Sequence, residues 1–548
     1  MSIAPSSPRA PEATATSTPA RRPSRQECTW LLAVPFAVAV LLSFAHTPDD
    51  GFITLRYAWH LVHGQGPVFN TGEHVLGASS ALHLLLSSVV VLAPHAHALV
   101  AAKLVSLVFG ALALWQGALL VAVTDLPRWA RRTGYLALAG SSMLALSSAN
   151  ALETTMYVFF VTLLVRLLVA GRASAAPVAV GVVGGLVVVT RPDGALLVGA
   201  LALASFLLAR AGHRARAVRW ALGGVVGVVI VSGATFALTG DPFPNTYYAK
   251  HVPLGRAISE GSRYLQTAIL PGVARPGVVG LLSALLWLAL AAFVVTGAVA
   301  LVRRRVPMAY TVALVGAQVA FVLESGGDWM RGGRFLVPAL VGLVVLALTG
   351  IVAAVDGVAR HRPDLRRPAI VAGVGMMLAV TFVPWITETA PVWRLGGVDD
   401  NAFVAAGGYG QYLAVWSTVP DVLACFPGTR VATTEIGNVG WSDPRRPILD
   451  LRGLTDSVIA HDAPDSSRRV AGIALGDWSS LDSVIGRRIV DWRADLVVLL
   501  GDEASMPPTA LGGRYVERAR LRLADGGTIE VYTRPGLPAS CTERGLLG

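Results

Sequence analysis

The chain has 548 residues, of which 54% are hydrophobic and only 14% are charged. Soluble domains carry about 25% charged residues, so this composition excludes an ordinary soluble protein and predicts a polytopic membrane protein. The formal net charge is +11, but the basic residues form short clusters between apolar runs. That pattern is typical of cytoplasmic loops and not of a nucleic-acid-binding face, so we predict no nucleic-acid partner.

The first 28 residues are rich in Ala, Pro, Ser and Thr and predict a disordered cytoplasmic tail. Apolar segments follow that are long enough, with their flanks, to cross a bilayer. We predict eleven spans, at 29–46, 98–123, 134–149, 153–171, 175–190, 194–210, 218–239, 276–301, 306–323, 335–355 and 368–387. Together they form a helical membrane domain over 29–387.

A further apolar stretch, 79–93, decides the topology. It is short and contains four serines and His83. If it does not cross the membrane, the later basic clusters, from 128–132 to 360–367, fall on the same side as the N-terminal arginines, as the positive-inside rule requires. We therefore predict a multi-pass protein of the bacterial inner membrane, with its N-terminus cytoplasmic and its C-terminus extracytoplasmic.

This topology places unusual polar residues on the outer face, in loops and at the ends of spans. Charges near lipid are expensive and commonly mark a functional cavity. The residues are Asp49, Asp50, Glu153, Arg191, Asp193, Asn245, Lys250, His251, Asp328, Arg331 and Arg334. Because they come from separate segments, we predict that they form one site.

Asp49 and Asp50 stand at the start of an amphipathic helix in the first outer loop. Apolar residues recur there at three- and four-residue spacing from Phe52 onward. One aspartate is enough to cap the helix, although both could be caps and nothing more. A carboxylate at this position could also remove the proton of an acceptor hydroxyl and stabilise positive charge on a reacting sugar.

The segment 48–77, PDDGFITLRYAWHLVHGQGPVFNTGEHVLG, resembles the first periplasmic loop of GT-C integral-membrane glycosyltransferases, in particular the mycobacterial terminal β-(1→2)-arabinofuranosyltransferase branch. Similar segments follow in order: ALETTMY at 151–157, TRPDGALL at 190–197, PFPNTYYAKH at 242–251, GGDWMRGGRFLVP at 326–338 and LDLRGLTDSVIAHD at 449–462. The loop continues with Ala-Ser-Ser-Ala at 78–81, and ALET replaces the more usual GMET. These departures concern the identity of the sugar and not the class.

The resemblance implies a GT-C-like fold and a glycosyltransferase. Its donor would be a polyprenyl-phosphate sugar, with arabinofuranose one candidate, and its acceptor a cell-envelope glycan. Asp49 or Asp50 would be the catalytic carboxylate. A departing polyprenyl phosphate needs cations near its oxygens. The candidate cations are Arg334, Arg331, Arg191, Lys250 and His251, and we favour the first two, since Arg334 follows two glycines at an expected helix start.

Glu153, Asp328 and Trp329 are candidates for a second carboxylate or a substrate contact. Glu153 could equally be a favourable charge at a helix start, and Trp329 an interfacial residue. Asp49, Asp50 and Asp328 could hold a divalent metal. Their spacing does not demand one, and we predict no metal or other cofactor.

Two other functions stay open at this point. A transporter or lipid-translocating protein would show repeated halves and helices broken at the midplane, and the sequence contains no internal repeat. A non-catalytic glycan-binding membrane protein would use the two aspartates only as helix caps.

After residue 388 the composition becomes that of a soluble domain, with strand-like segments such as TRVATTEIG and ADLVVLLGDE. We predict an extracytoplasmic α/β domain over 388–548, which either binds carbohydrate or packs as a lid on the outer loops. Cys425 and Cys541 both fall in it. Since an extracytoplasmic cysteine pair can oxidise, we predict a disulfide between them.

Overall fold

The computed structural model describes residues 23–44, 47–269, 277–328, 330, 333–385, 419–463, 481–500, 510–522 and 528–541. Helices make up the membrane domain. They are α1 (Arg25–Ser43), α2 (Asp50–Val62), α3 (Ala81–Val90), α4 (His95–Ala122), α5 (Arg128–Ala139), α6 (Ser142–Ala149), α7 (Thr154–Val169), α8 (Pro177–Thr190), α9 (Gly194–Leu208), α10 (Ala211–Thr239), α11 (Asn245–Lys250), α12 (Leu254–Ile269), α13 (Val278–Arg304), α14 (Pro307–Ser325), α15 (Val337–His361) and α16 (Pro363–Pro384). A short helix, Arg172–Ala175, connects α7 to α8.

Among the described residues, seven helices are long and apolar enough to cross a membrane, and each coincides with a predicted span. They are α1, α4, α10, α13, α14, α15 and α16. Three further predicted spans correspond to the shorter apolar helices α7, α8 and α9. The chain is therefore a multi-pass membrane protein, while the count of eleven and the orientation stay predictions.

The predicted span 134–149 is broken into α5 and α6. Gly140 ends α5, and a Cβ there would lie 2.9 Å from the Phe382 ring of α16. The Trp385 indole donates a hydrogen bond to the Gly140 carbonyl (2.7 Å). Ser141 then caps α6 through its side chain. Helix α3, in the stretch 79–93, has ten residues and is about 15 Å long, half of a hydrocarbon core.

The C-terminal domain contains a five-stranded mixed sheet. Its strands are β1 (Val431–Thr433), β2 (Ile448–Asp450), β3 (Leu496–Leu500), β4 (Val516–Arg522) and β5 (Thr528–Thr533), in the order β2-β1-β3-β5-β4. The first three are parallel, with Ala432 opposite Leu449 and Val497, and β5 is antiparallel to β3 and β4. The domain also contains the short helices α17 (Gly437–Ser442), α18 (Ser457–Asp462) and α19 (Val484–Asp491) and a 3-10 turn at Ala510–Gly513.

The predicted disulfide is confirmed. Cys425 and Cys541 are bonded, with their Cα atoms 5.1 Å apart and a separation of 116 positions in sequence. The bond joins the segment that precedes β1 to the segment that follows β5. It therefore ties the two ends of the sheet domain together.

A buried arginine of α2 binds the C-terminal domain through hydrogen bonds. Arg56 is 1% exposed and donates hydrogen bonds to the carbonyls of Phe69 (2.8 Å), Gly440 (2.9 Å) and Arg446 (2.6 Å). Asn70, in the loop after α2, pairs with both backbone groups of Ile448 (2.7 and 2.9 Å). The Asn70 side chain thus pairs with the free edge of β2, and the domain is fixed over the loop that follows α2.

Candidate active site

A cavity of about 260 Å³ opens between the first outer loop, the ends of α7 to α9, helix α11 and the connection from α14 to α15. Its walls carry charged residues from separate segments of the chain. Six of them are Asp50, Glu153, Arg191, Lys250, Asp328 and Arg334. The structure therefore brings together most of the polar residues that the sequence placed on the outer face.

The two aspartates have different environments. The Asp49 side chain is 3% exposed and accepts hydrogen bonds from the backbone N–H groups of Gly437 (2.6 Å) and Asn438 (2.8 Å) in the C-terminal domain. Asp50 instead lines the cavity, with one oxygen 3.9 Å from Arg334 Nη1. Successive residues at a helix start point about 100° apart, which explains the division.

The interpretation of Asp49 as only a helix cap is wrong. Asp49 occupies the N-cap position of α2, but its side chain makes no capping hydrogen bond there. Its carboxylate reaches across to α17 because Gly437 allows a close approach: a Cβ at that glycine would lie 1.9 Å from the Asp49 carbonyl oxygen. The sequence offered no spacing that would have revealed this contact, since 388 residues separate the partners.

Both aspartates are harder to ionise than an exposed aspartate. Burial raises the pKa of Asp49 to about 6, although the N–H groups of Gly437 and Asn438 favour its charged form. Burial also raises the pKa of Asp50, against the attraction of Lys250 and Arg334. A carboxylate with a raised pKa is a better proton acceptor near neutral pH than an ordinary one.

Arg334 is held by a buried carboxylate. Its Nε lies 2.6 Å from Asp328 Oδ2, and its guanidinium carbon lies 5.2 Å from the centre of the Phe335 ring. Asp328 fixes one edge of the guanidinium, and the other edge reaches Asp50. We expected Arg334 at a helix start, but the helical turn that leads into α15 begins three residues later, at Val337. Its position therefore depends on Asp328 and not on a helix end.

Arg191 lies between two carboxylates. Its Nη1 is 3.1 Å from Glu153 Oε1, and its Nε is 2.9 Å from Asp193 Oδ1. The guanidinium carbon is also 5.0 Å from the centre of the Phe335 ring. Glu153 makes no capping bond at the start of α7, so its side chain serves this ion pair. The Arg191 charge is largely neutralised before any ligand arrives.

Lys250 differs from the two arginines. It ends α11 and is exposed at the cavity wall, and among the described residues we find no hydrogen bond or ion pair to its amine. His251 follows it on the same wall, with its ring 6.0 Å from that of Tyr247.

Trp329 and Arg331 lie outside the described residues. Within the described part of the chain, no cluster of three or more His, Cys, Asp or Glu residues is arranged to hold a metal ion.

The C-terminal domain also contributes to the cavity. Asn245 Nδ2 donates to the carbonyls of Gly453 (2.7 Å) and Leu454 (3.1 Å), and Leu454 lines the cavity. Gly77, on the opposite side, leaves room for this loop, because a Cβ there would lie 2.8 Å from the Leu454 oxygen. The predicted topology had marked Asn245, Lys250 and His251 as outer-face residues, whereas 449–462 was marked only through resemblance. No local pattern indicated that the two segments meet.

Two solved structures share this architecture. One is the archaeal oligosaccharyltransferase AglB from Archaeoglobus fulgidus, in complex with an inhibitory peptide and a dolichol-phosphate. It matches 87% of this chain and 70% of its own with a TM-score of 0.50 and 13% sequence identity. The other is ArnT from Cupriavidus metallidurans in the apo state, which matches 91% of this chain and 97% of its own with a TM-score of 0.51 and 14% identity. At these identities the likeness concerns the fold.

These matches confirm the predicted GT-C-like fold, with its helical membrane domain and C-terminal sheet. No protein-family model matches the chain. No curated protein matches it either. The arabinofuranosyltransferase branch therefore stays a prediction from the sequence.

Proposed function

We propose that this protein is a membrane glycosyltransferase that moves a sugar from a polyprenyl-phosphate donor to a cell-envelope glycan on the outer face of the bacterial inner membrane. The observation that carries the proposal is the position of Asp50. Its carboxylate lines a cavity beside Arg334 and Lys250, and burial raises its pKa. A base next to cations is what transfer from a lipid-linked phosphate requires.

Asp50 acts as the general base. It takes the proton from the acceptor hydroxyl as the acceptor oxygen bonds to the anomeric carbon. The bond between that carbon and the phosphate oxygen breaks, and the polyprenyl phosphate leaves with the electron pair. Asp50 can also stabilise the positive charge that develops on the sugar ring. Its neighbour Asp49 is a positioning residue, since its oxygens are bound to the C-terminal domain.

Lys250 and Arg334 receive the departing phosphate. Arg191 is already paired with Glu153 and Asp193, so it contributes little free charge. Arg334 is paired closely with Asp328 but only loosely with Asp50, at 3.9 Å. Once Asp50 takes a proton, that second pairing disappears, and the guanidinium can turn its free edge to the phosphate. Proton transfer and phosphate binding are thereby linked through one arginine.

A lipid phosphate as the leaving group is supported by AglB, a structure with this fold that was solved with a dolichol-phosphate. The exposed aromatic residues of the 242–251 segment provide a second argument. Phe243 is 43% and Tyr247 47% exposed at the cavity wall, where they could contact a lipid chain or a sugar face. Arabinofuranose is the donor sugar that the sequence resemblance favours.

The decisive experiment is the Asp50→Asn variant. The amide keeps the shape of the side chain but loses the base, so the rate of transfer should fall about 10²–10⁴-fold. The measurement is the release of polyprenyl phosphate from a synthetic polyprenyl-phosphoryl arabinofuranose, or from a hexose analogue, with purified protein and cell-wall acceptor.

The matched control is Glu324→Gln, which removes an exposed carboxylate from the same cavity wall and should keep most of the activity. If the transfer rate of Asp50→Asn falls by less than about tenfold at a normal protein level, the carboxylate is not the base. That result would favour a non-catalytic glycan-binding protein. Movement of the labelled donor across a vesicle membrane without sugar transfer would favour the lipid-translocating alternative.

A further inference from the structure

A second cavity lies at the opposite end of the membrane domain. Helix α4 begins beside the C-terminal domain, where the His95 ring stacks on Trp441 at 4.2 Å. It has 28 residues and therefore extends about 42 Å to Ala122. The second cavity, of about 940 Å³, lies against the last turns of α4 and between the ends of α7, α13 and α15. It therefore faces the other membrane surface.

This cavity exists because two helix pairs are each tightly packed but leave a gap between them. Gly297 and Gly350 bring α13 and α15 into backbone contact, since a Cβ at either glycine would lie 2.0 Å from a carbonyl oxygen of the other helix. Helices α4 and α7 are joined by hydrogen bonds from Thr155 to the Ser106 carbonyl (2.7 Å) and from Arg166 to Gln116 (2.6 Å). The cavity is lined by residues of both pairs.

The cavity walls combine apolar side chains with two positive and two negative charges. The apolar residues include Leu119, Val123, Leu301, Val306, Met308 and Val352. The charged residues are Arg166, Arg304, Asp125 and Asp356. Within the described part of the chain, no ion pair joins any of these four side chains to another residue, and the only hydrogen bond to the four side chains is the one between Arg166 Nε and Gln116. The Nη atoms of Arg166 are left for a ligand.

We propose that this cavity binds an ethanolamine phospholipid from the adjacent leaflet. The phosphate of such a lipid complements Arg166 and Arg304, and its ammonium group complements Asp125 and Asp356. The apolar walls accept the upper part of an acyl chain, and the volume is within the range of ordinary small-molecule pockets. Gln116 orients the Arg166 guanidinium toward the headgroup, because it already accepts from Nε.

The charges and hydrogen-bond donors of the headgroup distinguish an ethanolamine phospholipid from glycerol and choline phospholipids. An anionic glycerol headgroup would leave both aspartates facing a negative ligand. A choline headgroup has the right charges but no N–H donors for the carboxylates. Of these three headgroups, only ethanolamine offers an anionic acceptor to the arginines and a positively charged N–H donor to the aspartates at the same time, since the donors of glycerol are uncharged hydroxyls.

The test is native mass spectrometry of the full chain in mild detergent, after incubation with equal amounts of phosphatidylethanolamine, phosphatidylglycerol and phosphatidylcholine. Phosphatidylethanolamine should be retained in preference to the other two. Arg166→Gln should lower its retention about tenfold, the change expected for one lost charged hydrogen bond. The matched control is Arg172→Gln, which removes an exposed arginine close by that does not line the cavity, and its retention should match that of the wild type.

Equal retention by Arg166→Gln and Arg172→Gln would overturn the site. Equal retention of phosphatidylglycerol by the wild type would overturn the choice of headgroup. If Arg166→Gln fails to fold, the double variant Asp125→Asn/Asp356→Asn replaces it, since both aspartates are exposed. That variant should lose the preference for phosphatidylethanolamine over phosphatidylcholine, and a preserved preference would contradict the proposal. Sugar transfer is not the readout, so the result is independent of the proposed enzyme activity.

Discussion

The two sides of helix α2 are built from different chemistry. On the side of the C-terminal domain, Arg56 is buried against backbone carbonyls and the Asn70 side-chain oxygen. On the cavity side, Asp50 and its neighbours form carboxylate–guanidinium pairs. Neutral acceptors hold their donor at any protonation state of the site. Ion pairs can exchange one partner for an anionic ligand. The first arrangement suits a permanent contact, and the second suits a site whose charges change during a reaction.

The two aspartates that begin α2 separate along this same boundary. Asp49 belongs to the permanent contact through backbone N–H groups, and Asp50 belongs to the cavity. Variants on each side should therefore affect different measurements. Cavity variants should change transfer first, and contact variants should change the stability of the C-terminal domain first.

The largest effect on stability should come from Arg334→Gln. It leaves Asp328 buried without its charged partner, which typically destabilises a protein by about 3–5 kcal/mol. Transfer should also be lost. The measurement is the midpoint of thermal unfolding in detergent, together with the transfer assay.

The double variant Arg334→Gln/Asp328→Asn is the control for that effect. It replaces the pair by two neutral side chains that can still bind one another, so stability should return while transfer stays low. Recovery of transfer in the double variant would mean that Arg334 does not contact the phosphate.

A smaller effect is expected for Arg56→Met, on the other side of α2. The variant leaves buried carbonyl oxygens without a donor, at roughly 1–3 kcal/mol for each such group. It also removes a guanidinium charge whose burial is unfavourable, so the net loss should be smaller than for Arg334→Gln. The C-terminal domain should become sensitive to protease while the membrane domain stays resistant. Arg56→Lys cannot reproduce the planar array of donors and should recover only part of the protection. Full protection in Arg56→Met would show that the domain is held elsewhere.

The smallest effect should come from Asp49→Asn, and it should depend on pH. In the folded protein the Asp49 pKa is raised from 3.8 to about 6, so between these values the folded state binds more protons than the unfolded state. Stability contributed by this group is therefore highest below about pH 4 and falls as the pH rises to about 6. Asparagine cannot titrate, so the variant should remove this component.

The readout is protease protection of the C-terminal domain across pH 4 to 7. Asp450 is the control group, because burial raises its pKa to about 6 as well, and its contribution should remain in the Asp49→Asn variant. A pH profile unchanged from that of the wild type would mean that Asp49 titrates as an ordinary carboxylate. The comparison between the two sides of α2 would then rest on Arg56 alone.

Much of the fold could be predicted because hydropathy and charge are local properties. Each of the seven long helices lies on an apolar run that was visible in the sequence. The predicted span 134–149 missed the break between α5 and α6. Gly140 and Ser141 are local signals for it, and Phe382 and Trp385 of a distant helix contact the same point. The disulfide followed from the predicted location of two cysteines, and the structure bears it out.

The sequence by itself determined the membrane class, the strand-containing C-terminal domain and the set of polar residues predicted to lie away from lipid. Only the tertiary structure decided how those residues are paired. Asp49 contacts the C-terminal domain, whereas Asp50 lines the cavity. Arg191 lies between Glu153 and Asp193, and Lys250 is exposed at the cavity wall. Glu153 and Arg191 are 38 positions apart, and Asp49 and Gly437 are 388 positions apart. Neither separation leaves a periodic pattern in the chain, because these contacts depend on how whole helices and domains pack.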